Sequence, residues 1–113
     1  MSEFLYLYRG GERPASAEGM QKQMQKWTAW MKELSDKGHL KNPGQPLEAT
    51  GKVVKGKPET VTDGPYAEAK DIVGGYTLIE ATDLAQAAKL SSGCPILAVG
   101  GLVEVRPIMR MDL

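Results

Sequence analysis

The sequence predicts an α+β fold: a ferredoxin-like sandwich, with a four-stranded antiparallel sheet, two helices on one face and a β-hairpin extension. Three observations carry this. The hydrophobic patterns run strand, long helix, hairpin region, strand, short helix, strand, which is two β-α-β units side by side. The opening strand is apolar on both faces. The length of 113 residues suits one domain with one core, so residues 1–113 are expected to form a single domain.

"EFLYLY" (3–8) is a strand bounded by the turn residues of "RGGERP". Phe4, Tyr6 and Tyr8 point one way, Leu5 and Leu7 the other. A sheet with one face in water alternates apolar with polar, so this strand needs two covers. One chain offers only one helical layer, and a second copy related by a two-fold axis is the simplest cover for the other face. A homodimer is therefore expected.

Residues 17–37 read as a long helix, with Ser16 as N-cap, Glu18 at the positive end of the dipole and Gly38 just past the end. Met20, Met24, Trp27, Met31 and Leu34 step by three or four and should form its core face. "HLKNPGQPLEATGK" reads as loop. "KVV" and "PETVT" read as two strands joined at "KGKP", within a hairpin extension over 47–63 that Asp63-Gly64-Pro65 ends. "DIVGGYTLIE" (71–80) is the next strand, its glycines marking a bulge or a close backbone approach. "DLAQAAKLSSG" (83–93) is a short helix whose Asp83 and Gln86 have capping-box spacing. "GLVEVRP" (101–107) is the last strand.

Lysine and arginine total 14, as do aspartate and glutamate, so the formal net charge is zero. That balance argues against nucleic acid and against an electrostatic membrane anchor. One cysteine and one histidine exclude a disulfide framework and a cysteine-rich zinc site, and cannot close a tetrahedral metal site within one chain. No metal and no cofactor are expected. "MSEFLYLYRGG" lacks the basic start and long apolar run of a signal peptide, so the expected location is cytoplasmic. "GGYTLI" and "VGGLVEV" lack the lysine and the strand-to-helix order of a phosphate loop.

"VTDGPYAEAKDIVGGYTLIE", with "LYLY" before it and "CP" and "VEVRP" after it, resembles the DGPF-type branch of the YCII-related family over nearly the whole chain. Tyr66 stands where that branch usually has phenylalanine, Ala69 where it has threonine and Asp71 where it has glutamate. The resemblance implies a ferredoxin-like fold that pairs into a dimeric α/β barrel, and it implies no particular reaction. Some relatives carry a His-Asp pair proposed to be catalytic, its histidine near the start of the first helix. Here that region is "ERPASAEGM", so the pair is incomplete. Other relatives occur fused or adjacent to extracytoplasmic-function sigma factors, which makes such a factor a candidate partner.

Asp63 has two readings: a turn residue that bonds its own backbone, or a carboxylate at a pocket mouth serving as base or acceptor. Tyr66, Glu68 and Lys70 alternate, which in an extended segment puts all three on one side. The resemblance places Asp63 and Lys70 within the motif, and these two are the catalytic candidates. Glu104 and Arg106 share a sheet face with Leu102 and need partners or a polar cavity, to which Tyr6 and Tyr8 could add hydroxyls. His39 reads as an exposed loop residue and Cys94 as a small buried hydrophobe. Two functions compete. One is binding of a small polar organic molecule, with catalysis left open, anchored by Asp63, Lys70 and Arg106. The other is a regulatory module acting through a protein partner.

Overall fold

The computed structural model describes residues 1–65 and 72–111. Strand β1 (Ser2–Gly10) is followed by helix α1 (Ala17–Asp36) and the short strand β2 (Leu40–Asn42). A hairpin of β3 (Lys52–Lys55) and β4 (Thr60–Asp63) comes next. Then follow β5 (Val73–Ala81), helix α2 (Leu84–Leu90) and β6 (Gly101–Pro107). The main sheet has the order β2-β5-β1-β6 with every pair antiparallel, and the hairpin forms a separate two-stranded sheet. This is the ferredoxin-like arrangement, with the first and third sheet strands in the middle.

The fourth strand of the sheet is Leu40–Asn42, inside the stretch read as loop. Three residues carry no periodicity. Pairing with β5 makes them a strand, and a register shift between Leu40 and Asn42 interrupts even that. The glycine pair behaves as expected: Tyr8 faces Gly75 and Arg9 faces Val73, so Gly74 is the extra residue of a bulge.

Both helix starts are capped. Ser16 Oγ accepts from Gly19 N at 3.0 Å, and Asp83 Oδ1 accepts from Gln86 N at 2.8 Å. At the end of α1, Gly38 adopts φ +78°. Its N–H reaches Ser35 O at 3.0 Å and His39 N–H reaches Leu34 O at 2.8 Å, the paired bonds of a Schellman motif.

Phe4, Tyr6 and Tyr8 are buried together with Trp30, Leu34, Ile79, Ala87, Cys94 and Ile96. Tyr6 touches both helices: its ring stacks on Trp30 at 6.0 Å, and its hydroxyl donates to Ala87 O at 2.5 Å. Both helices therefore cover one face. The core stripe of α1 differs from the expected one. Trp30 and Leu34 are buried and Trp27 and Met31 partly so, whereas Met20 and Met24 are exposed. A helical period fixes the inward face but not how far along the helix the sheet reaches. No helix among the described residues is long and apolar enough to cross a membrane.

Candidate functional site

Cross-strand register decides which side chains share the face that the helices leave open. Leu5 pairs with Leu78 and Arg106, Leu7 with Tyr76 and Glu104, and Arg9 with Leu102. This face therefore carries Leu5, Leu7 and Leu78 at its centre, half-buried, with Tyr76 and Leu102 exposed beside them. Each end of β1 adds a charged group. At one end Arg9 Nε donates to Glu104 Oε1 at 2.8 Å, and Arg106 Nη1 donates to Glu104 Oε2 at 3.2 Å. These bonds, Arg9's first, hold the Glu104 carboxyl below the usual carboxylate range. At the other end Glu3 and Glu80 stand directly opposite each other, a repulsive pair. Lys41 relieves it by ion pairs to both, the one to Glu80 at 3.6 Å. The Glu3 carboxylate, more than Glu80, pushes the Lys41 ammonium up from its ordinary value.

Tyr6 and Tyr8 do not join Glu104 and Arg106. Tyr6 pairs with Val105 and Tyr8 with Val103, so both tyrosines lie on the opposite, helix-covered face. Their hydroxyls are committed there, Tyr6 to Ala87 O and Tyr8 to Thr77 Oγ1 at 2.7 Å. Burial pushes both phenols well above their ordinary value. The expected shared cavity fails because alternation along one strand does not reveal how two strands align.

Asp63 ends β4 opposite Lys52, whose Nζ stands 2.7 Å from Asp63 Oδ1. The carboxylate is 92% exposed and makes this cross-strand ion pair rather than a bond to its own backbone. The turn beyond it rests on Gly64, at φ +86°, whose N–H donates to Gly51 O at 2.6 Å. Tyr66, Glu68 and Lys70 lie outside the described residues.

His39 is not the exposed loop residue expected. It is half-buried, and its Nδ1 lies 2.8 Å from Glu80 O, a contact that requires the proton on Nδ1. Cys94 is buried, and burial pushes its thiol up to about 11. Among the described residues no three or more of histidine, cysteine, aspartate and glutamate cluster closely enough to hold a metal ion.

Arg9 was missed from the sequence because it opens a turn-rich stretch. The available signal was the period of two that sets it on the same side as Leu5 and Leu7. A model of the YCII-related domain matches residues 4–112. No match was found among curated proteins.

Proposed function

Because the chain belongs to the YCII-related family, we propose that it is a DGPF-type member that forms a homodimer through the open sheet face. The pair of faces then encloses a site for a small polar organic molecule. The observation behind this reading is a central leucine patch that neither helix covers, flanked among the described residues by charged groups of opposite net sign. Among the described residues, Arg9, Arg106 and Glu104 combine two cations with one anion, whereas Lys41, Glu3 and Glu80 combine one cation with two anions. A two-fold axis lying in the face and crossing the middle of β1 stacks the positive end of one copy over the negative end of the other. Such a patch is self-complementary, as an isologous interface requires. Arg106 is the better ligand anchor of the two arginines, with 64% of its side chain exposed. Asp63 and Lys70, with Tyr66 and Glu68 between them, supply candidate acid, base and polar contacts from the DGPY turn.

The test of dimerisation is sedimentation of the wild type against Leu7→Lys. The wild type should sediment as a dimer at micromolar concentration, consistent with an interface of at least about 1,200 Å². Leu7→Lys places an ammonium at the centre of the patch and should give a folded monomer. A monomeric wild type, or a dimer indifferent to the substitution, overturns the reading. The binding site is tested by screening polar metabolites against the wild type and Arg106→Ala. A ligand that binds both equally moves the site elsewhere.

A further inference from the structure

On the opposite side of the molecule, α1 and α2 flank a groove of about 410 Å³. This volume lies within the range of small-molecule sites, roughly 300–1,000 Å³. The groove belongs to the helical layer and is independent of the sheet face. Its apolar lining comes from Trp30, Leu34 and Leu90. Trp30 is only 6% exposed, and its rings pack against Tyr6, Tyr8 and Trp27.

The indole N–H of Trp30 has no hydrogen-bond partner among the described residues. Yet none of the fully buried side-chain nitrogens or oxygens among the described residues lacks a partner. Nε1 therefore keeps contact with the solvent of the groove that Trp30 lines. A residue otherwise buried presents one polar atom there, a donor that only solvent serves in the free protein.

Gly93 keeps that atom open. A Cβ at position 93 would lie 3.2 Å from both Cδ1 and Nε1 of Trp30. The backbone of Gly93 is not in the left-handed region, so conformation does not call for glycine. The missing side chain leaves the indole edge uncovered. The polar lining is Glu33, Lys37, Gln86, Lys89 and Ser92. Lys37 is paired with Glu33 at 2.8 Å, whereas Lys89 makes no ion pair among the described residues.

We propose that this groove binds a small aliphatic carboxylate. The Trp30 N–H and the Lys89 ammonium take the carboxylate oxygens, and the alkyl body lies on Leu34 and Leu90. A carboxylate oxygen replaces solvent on the indole donor, its negative charge meets the Lys89 cation, and an apolar tail suits the lining.

The experiment follows the two indole N–H resonances by ¹H–¹⁵N correlation while hexanoate is added. Trp30→Phe assigns them, and Trp27 serves as the internal control. Hexanoate should shift the Trp30 resonance saturably and leave that of Trp27 in place. 1-Hexanol, with the same tail and no charge, should bind at least about tenfold more weakly, and Lys89→Ala should lose a similar factor for hexanoate. Gly93→Ala, which lays a methyl over the indole edge, should abolish the shift in a protein that keeps its amide dispersion. Should that variant unfold, Lys89→Ala at an exposed position decides alone. No saturable shift up to about 50 mM, equal affinity for hexanoate and hexanol, or wild-type affinity in Lys89→Ala overturns the proposal.

Discussion

Arg9 Nε donates to Glu104 Oε1 across the β1–β6 ladder at 2.8 Å, on the face that neither helix covers. This bond and the weaker one from Arg106 lower the Glu104 pKa, so they stabilise the fold only while the carboxylate is ionised. The contribution is fully present above the unfolded carboxylate value of about 4.3 and is lost as pH falls through the lower folded value. The group is about one-third exposed and screened by solvent, so the effect is at most about 1 kcal/mol. Melting temperatures between pH 7 and pH 3 should fall less steeply for Glu104→Gln than for the wild type.

Thr77 sits between two partners in the core. Its hydroxyl accepts from Tyr8 at 2.7 Å and donates to Pro43 O at 3.0 Å. Thr77→Val keeps the shape and orphans both groups, at about 1–3 kcal/mol for each one left buried. Tyr8→Phe leaves the Thr77–Pro43 bond intact and should cost about 1 kcal/mol. Urea denaturation should therefore rank Thr77→Val as the more damaging of the two.

Gly44 and Gly38 share a left-handed backbone, at φ +71° and +78°, but differ in surroundings. A Cβ at position 38 meets nothing within 4 Å, whereas one at 44 would fall 1.8 Å from the Tyr76 carbonyl oxygen. Gly38→Ala should cost the conformational penalty alone, about 1–2 kcal/mol. Gly44→Ala must also push the chain away from β5, and equilibrium unfolding should show at least about twice that loss.

Asp63 pairs with Lys52 in open solvent, an arrangement worth less than about 1 kcal/mol. Asp63→Asn should therefore leave the melting temperature almost unchanged. If Asp63 serves a ligand, the same variant should bind it at least about tenfold more weakly, a loss of about 1.4 kcal/mol. Calorimetry on the stable variant separates these two roles.

Elements with a long internal period were legible in the sequence. Helix α1 spans Ala17–Asp36 against an expected 17–37, and β6 spans Gly101–Pro107, as its alternation suggested. What escaped depends on partners distant in sequence. β2 is a strand only because β5 lies beside it. Glu104 and Arg106 read as charges on a sheet face in need of partners, but nothing local points to Arg9 of β1 as the partner of Glu104. Tyr6 and Tyr8 were assigned to the wrong company because register is a property of two strands at once. Trp30 was left out of the helical stripe although it lies three residues from Trp27 and four from Leu34.

The one cysteine of the chain has a further consequence. Cys94 is packed inside the core with its thiol pushed up to about 11, so a reagent in solution meets neither an accessible sulfur nor an appreciable amount of thiolate. Alkylation must wait for the helical layer to lift from the sheet. The rate at which a thiol-specific dye labels the folded protein therefore clocks that opening, without any engineered probe.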